Sequence, residues 1–165
     1  MTHPGLILRP ALPADREFLL RVYAASREME MAMVPWPAEQ KDAFLRMQFE
    51  AQDQHYRAKF PAAEHSVITA NGEDVGRVYV VREEERIHIL DIAVLLPYRR
   101  RGFATEIVLR LQEEARTRAC PLTIYVEEFN PSLHLFETLG FAKESSEGIH
   151  QLLRWLPRDT KPKLR

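Results

Sequence analysis

From Leu90 to Ala115 the chain reads as an apolar strand, a basic loop Arg99-Arg100-Arg101-Gly102-Phe103-Ala104, and an amphipathic helix that starts at once. Few architectures accept that run. A strand feeding straight into a helix packs the helix on the sheet, which requires a layered α/β domain. Gly102 permits a turn that a Cβ would hinder and lets a ligand come close to the backbone. The N–H groups of Arg101 through Thr105 face outward at the helix start, where the dipole favours an anion. Three arginines add fork-shaped donors suited to phosphate oxygens. From the residues alone two readings stand: a phosphate-binding turn, or an ordinary strand-to-helix turn with a solvated basic knuckle. The segment lacks the Lys-Ser/Thr of a P-loop and the three glycines of a dinucleotide fingerprint, which argues against nucleotide hydrolysis and NAD binding.

The flanking sequence supplies the other layers. Leu6–Arg9 is a short strand closed by Pro10, and residues 13–30 read as one helix with Phe18, Leu19, Val22 and Tyr23 on its apolar side. Pro35-Trp36-Pro37 is a stiff connector. A second helix over 38–60 carries Leu45, Phe49, Tyr56 and Phe60 as a stripe, with Phe44, Met47 and Ala51 beside it, and stops at Pro61. The period then changes: Ser66–Ala70 and Val75–Arg82 flank Asn71-Gly72 as a hairpin, and Ile87–Leu96 is a long strand ended by Pro97. Past the basic loop, Ala104, Ile107, Val108, Leu111 and Ala115 are the buried face of a helix. Leu122–Val126 is a strand, 131–139 a short helix closed by Gly140, and 149–156 a final strand, with room for one more around 141–145. That order implies one mixed α/β sheet with helices on both faces.

A length of 165 residues suits a single domain over 1–165, with a core at 5–156 and a charged tail at 157–165. The 23 basic and 24 acidic side chains give a net charge of -1, so nothing points to nucleic acid or an anionic membrane as a partner. One cysteine, Cys120, excludes an intramolecular disulfide framework, and the six histidines show no metal-ligand spacing, so no metal is expected. The polar N-terminus and the short apolar runs suggest neither signal peptide nor bilayer span, which makes a cytoplasmic location the expectation.

Leu90-Asp91-Ile92-Ala93-Val94 followed by Pro97-Tyr98-Arg99-Arg100-Arg101-Gly102-Phe103-Ala104 resembles the acetyl-CoA signature of the GNAT superfamily of N-acetyltransferases, Arg/Gln-x-x-Gly-x-Gly/Ala entered from an apolar strand. Asn130-Pro131-Ser132-Leu133-His134-Leu135-Phe136-Glu137-Thr138-Leu139-Gly140-Phe141 resembles the later Asn-Pro…Leu-Tyr…Leu-Gly-Phe block of that family. The two blocks keep the family's order, and the resemblance extends over about 5–156. It implies a GNAT-like acyl-CoA N-acyltransferase fold, whose mostly antiparallel mixed sheet splays at its middle strands. It also implies acetyl-CoA as cosubstrate. The pyrophosphate would lie on Arg99, Arg100, Arg101, Gly102, Phe103 and Ala104, with Thr105 adjacent. The pantetheine arm would bond the main chain of Ala93 and Val94 in a slot formed with Leu122–Val126, and Asn130 would contact it from the other side. The reaction would be direct attack of a primary amine on the thioester, aided by backbone donors at the oxyanion.

The acid and base are less defined. Phe136 stands where many family members have the tyrosine that protonates the leaving thiolate, and it has no proton to give. A thiol pKa of about 8.5 lets the thiolate leave with little help. A positioned acid is worth about 10²–10⁴-fold, and that can be forgone. His88 occupies the strand position where some members carry glutamate. Its alternative is a half-buried strand histidine. Glu127, at the end of the next strand, is the second candidate for the base, whereas Asp91 is expected to be structural, bonding bulged backbone. Glu28 and Glu30, beside Met31, Met33 and Trp36, could face a cationic acceptor or be plain solvated charge. The acceptor amine, on a small molecule or a peptide or protein, stays open, as does a homodimer. The rival function is an acyl-CoA-binding sensor or scaffold with little turnover.

Overall fold

The structure, a computed structural model, describes residues 3–158, so residues 159–165 of the expected tail lie outside it. Seven strands make one mixed sheet in the order β1-β2-β3-β4-β5-β7-β6. They are β1 (Leu6–Pro10), β2 (Glu64–Ala70), β3 (Glu73–Arg82), β4 (Ile87–Val94), β5 (Leu122–Glu127), β6 (Ala142–Glu147) and β7 (His150–Trp155). The helices are α1 (Arg16–Ser26), α2 (Glu28–Ala32), α3 (Ala38–Lys59), α4 (Phe103–Arg118) and α5 (Ser132–Thr138). Two compact units share this chain. The first runs to Tyr79 and includes Asp91–Ala104; the second takes Val80–Leu90 and the chain from Thr105 onward.

In the first unit β1 pairs antiparallel with β2, from Leu6↔Ala70 to Pro10↔Ser66. The Asn71-Gly72 turn that follows has positive φ at both residues (52° and 85°), as a tight hairpin turn demands. Leu19, Leu20 and Tyr23 of α1, Phe49 of α3 and Val67 of β2 form the core, with Phe18 and Leu45 packed against it. Burying each such side chain contributes about 1.5–3 kcal/mol. The stripe read along α3 holds at Leu45, Phe49 and Tyr56, but Met47 is 61 % exposed and lies on the outer face.

The single helix expected over 13–30 is instead three pieces. A 3-10 turn spans Pro13–Asp15, then come α1 and α2, with the break at Arg27 (φ -106°, ψ 5°). The Ser26 hydroxyl donates to Tyr23 O at 2.6 Å, and the Arg27 N–H reaches Ala24 O at 3.1 Å. The Arg27 N–H thus leaves the i−4 carbonyl for nearer ones while its backbone turns out of the helical region, and α1 ends there. Met31 is buried behind the break, while Met29 and Met33 are exposed.

In the second unit the first residues of β4 pair in parallel with β5 at Ile87↔Leu122, His88↔Thr123 and Ile89↔Ile124, while Asp91–Val94 of the same strand belong to the first unit. β5 pairs antiparallel with β7, and β7 with β6, the additional strand left open by the sequence pattern. Ile107, Val108, Leu111 and Ala115 are the buried face of α4, as their spacing predicts. Gln112 is buried with them and donates to Leu139 O at 2.9 Å, tying α4 to the end of α5. Gly140 closes α5 with φ 93°, a conformation that a side chain resists.

Candidate active site

β4 ends at Val94, a 3-10 turn over Leu96–Tyr98 follows, and α4 begins at Phe103. The intervening residues alternate in handedness: Arg100 has φ 65° and Gly102 φ 82°. Left-handed backbone between ordinary residues turns successive N–H groups into one concavity, which suits an anion. The N–H groups of Arg100, Arg101 and Gly102 have no acceptor among the described residues. A non-glycine residue held left-handed at Arg100 costs about 1 kcal/mol or more, and such strain clusters at ligand clamps. Arg100, Arg101 and Gly102 are exposed, Ala104 and Thr105 half-buried.

The loop is braced from below. Arg101 lies 5.6 Å over the Tyr98 ring, and the Tyr98 hydroxyl donates to Glu73 at 2.7 Å. That carboxylate raises the Tyr98 pKa. Phe103 is buried and meets the His3 ring edge-on at 5.1 Å. His3, Leu6, Ala70 and Phe103 line part of a cavity of about 110 Å³ behind the loop. A Cβ built on Gly102 would come 3.2 Å from His3 Nε2, so glycine serves both the turn and the close packing there.

Arg99 departs from the expectation. Its N–H donates to Leu96 O at 3.1 Å and its Nε to Val94 O at 2.7 Å, so these groups face the protein and not an incoming phosphate. The loop N–H groups left without an acceptor among the described residues are those of Arg100, Arg101 and Gly102. Ala93 and Val94 end β4 just before them. Ala93 is half-buried, and its carbonyl oxygen would be 2.2 Å from a Cβ at Gly76. Beneath this strand end Arg77, 2 % exposed, donates through Nε to Asp91 at 2.7 Å and through Nη2 to Gln52 at 2.7 Å. Asp91 is thus structural, as expected, but it neutralises a buried guanidinium instead of bonding bulged backbone. A charged residue inside the otherwise apolar run Val75–Val81 is the signal that could have exposed this pair.

Beside it, His65 stacks on Tyr79 (4.2 Å, 7°), and Tyr56 meets Tyr79 edge-on at 5.1 Å. His65 Nε2 is buried without a hydrogen-bond partner among the described residues. Burial, with the Arg77 charge acting the same way, lowers the His65 pKa to about 4. Burial also drives the Tyr56 hydroxyl well above its usual range. Nothing in the sequence pattern singled out this cluster.

The remaining expected residues lie in the second unit. His88 is 2 % exposed, with Nδ1 2.7 Å from Thr123 Oγ1 and its ring edge-on to Tyr125 at 5.6 Å. That is a sheet-interior setting. Glu127, at the C-terminal end of β5, keeps 27 % of its side chain exposed, with His150 Nε2 at 4.0 Å. Asn130 is exposed, and its carboxamide oxygen accepts from Ser132 N at 2.9 Å and Ser132 Oγ at 2.8 Å, an Asx turn just ahead of α5. Phe136 is 2 % exposed and edge-on to Phe141 at 5.3 Å. It is a core residue of α5. Among the described residues no group of three His, Cys, Asp or Glu side chains could hold a metal ion, and no helix is long and apolar enough to cross a membrane.

A strand ending in a left-handed, arginine-rich turn at a helix start, within this strand order, defines a mixed α/β class of fold with a turn suited to an anion. The family model for the acetyltransferase (GNAT) family matches residues 24–141, and the chain belongs to that family. Solved structures agree on the fold. A PaiA N-acetyltransferase from Thermoplasma acidophilum in complex with coenzyme A superposes with a TM-score of 0.68 at 13 % identity, over 94 % of this chain and 99 % of its own. A GNAT family acetyltransferase from Elizabethkingia anophelis with acetyl-CoA bound gives 0.59 at 17 %, over 93 % and 99 %. The ribosomal-protein-S18-alanine N-acetyltransferase of Escherichia coli gives 0.63 at 14 %, over 97 % and 99 %. No curated protein matches the sequence.

Proposed function

We propose that the protein is an acetyl-CoA-dependent N-acetyltransferase acting on a primary amine. The observation that carries the reading is the turn Arg100–Gly102, with left-handed backbone at Arg100 and Gly102 and open N–H groups just before the start of α4. Its exposed N–H groups and the Arg100 and Arg101 side chains match a pyrophosphate in charge and donor count. Acetyl-CoA, when bound, supplies the activated acetyl group. The main chain of Ala93 and Val94 would hold the pantetheine arm, and Asn130 would offer its carboxamide N–H groups. Of the two base candidates Glu127 is the better placed, because its carboxylate reaches solvent, whereas His88 is sealed in the sheet. Glu127 would take the proton that the attacking ammonium must lose.

A second reading, an acyl-CoA-binding sensor or scaffold with little turnover, is favoured by Phe136, which leaves that position without a proton donor. Titrating acetyl-CoA by calorimetry and then measuring thiol release against a broad amine panel separates the two. The enzyme reading expects binding and amine-dependent release. Glu127→Gln should lower turnover by about 10²-fold while leaving acetyl-CoA affinity unchanged. Binding without release from any amine favours the sensor, and no binding overturns the assignment of the loop.

A further inference from the structure

Arg99 makes two side-chain hydrogen bonds that leave the loop. Its Nε donates to the carbonyl of Val94, the last residue of β4. Its Nη2 donates to Ala25 O at 3.5 Å, across 74 positions of sequence. Ala25 belongs to the final turn of α1, where carbonyls lack the i→i+4 donors of the helix interior and the dipole is negative. That turn has no basic residue of its own. Arg99 adds from another element a further donor and positive charge at this C-terminus, beside the C-cap Arg27.

The end of α1 is also where the chain breaks toward α2. There Ser26 bonds the carbonyl of Tyr23 and the Arg27 N–H those of Ala24 and Ala25, so the Arg99 guanidinium is a second donor to Ala25 O. Past the break stand Glu28 and Glu30, with Met29 74 % and Met33 84 % exposed. We propose that Arg99 is a positioning residue that fastens the end of the donor strand to the α1–α2 connector, so that loading of the strand orders the connector. This rests on the reading of β4 and its loop as the acetyl-CoA site. An arm bonded to the main chain of Ala93 and Val94 fixes the Val94 carbonyl, the carbonyl holds the guanidinium, and the guanidinium holds the last turn of α1. Coupling of this kind needs a contiguous set of contacts, and here it is three groups long.

Amide hydrogen exchange of residues 24–33, with and without acetyl-CoA, tests it together with calorimetric affinity and a thermal melt. In the native chain acetyl-CoA should slow exchange there by about tenfold, the scale of a local opening equilibrium shifted by one clamp. Arg99→Met should bind acetyl-CoA within about threefold of the native affinity, yet exchange these amides about tenfold faster and show no response to the cosubstrate. Arg99→Gln, which can still reach Val94 but not Ala25, should behave like Arg99→Met and covers the case in which the methionine variant fails to fold. A loss of acetyl-CoA affinity beyond about tenfold would make Arg99 a phosphate ligand and overturn the proposal. Unchanged exchange in both variants would overturn it as well. If the native chain does not bind acetyl-CoA, the donor-site reading fails separately, and faster exchange in the unliganded variants still reports the link to α1.

Discussion

A hydroxyl added to the ring of Phe136 would enter a site 2 % exposed and walled on one side by Phe141. Burying an unpartnered hydroxyl costs about 1–3 kcal/mol. Phe136→Tyr should therefore lower the melting temperature by about 2–4 °C per kcal/mol lost, with no gain in thiol release. A variant that melts normally and turns over tenfold faster would show instead that this ring faces the reacting atoms. Gly102 could be read from the sequence because only glycine serves that turn cheaply, so residue type and conformation carry the same information. Arg99 could not. An arginine's destination depends on which carbonyls the fold brings near, and Ala25 O arrives only when α1 and β4 are both in place. Phe136 was visible as a missing tyrosine, but its burial against Phe141 was not.

At the scale of elements, β3 and β4 approach so closely that a Cβ on Gly76 would sit 2.2 Å from Ala93 O and 3.0 Å from Val94 Cα. Both neighbours are backbone, so neither side can swing away. Gly76→Ala should destabilise by about 3 kcal/mol, at the upper end of overpacking costs. It should also weaken acetyl-CoA binding, because the strand end that moves is the one assigned to the arm. Gly72→Ala is the control: it carries φ 85° but meets nothing within 4 Å, so it pays backbone strain alone. A Gly76→Ala melt no lower than that of Gly72→Ala would mean that the strands separate freely there. Most elements were legible because apolar periodicity tracks burial, and α4 follows its pattern residue by residue. The break at Ser26–Arg27 escaped because the helical period runs on across it; what ends α1 is the backbone turn at Arg27 (φ -106°, ψ 5°), which periodicity does not register.

For the molecule as a whole, acid sensitivity should centre on His65. Its imidazole is held neutral by burial, with Arg77 and Arg57 opposing a charge and Asp53 and Asp91 only partly offsetting them, for a pKa of about 4. The unfolded chain binds that proton near a pKa of about 6.5, so between these values it carries more protons than the folded one and stability falls as pH drops. The full shift is worth at most about 3 kcal/mol. Asp15 acts in a different window. Its carboxylate accepts two hydrogen bonds from Arg9, at 2.8 and 2.9 Å, and its pKa is lowered, so its contribution is present at neutral pH and lost only below the ordinary carboxylate range. The loss between about pH 6.5 and 4.5 is then assigned to the histidine and not to the ion pair. His65→Phe keeps a ring on Tyr79, removes the unpartnered Nε2 and cannot titrate. Urea midpoints measured from pH 7.5 down to 4.5 should fall in the native chain and stay flatter in His65→Phe, with equal or greater stability at neutral pH. Parallel curves for the two chains would take the acid sensitivity away from His65 and place it on another buried group.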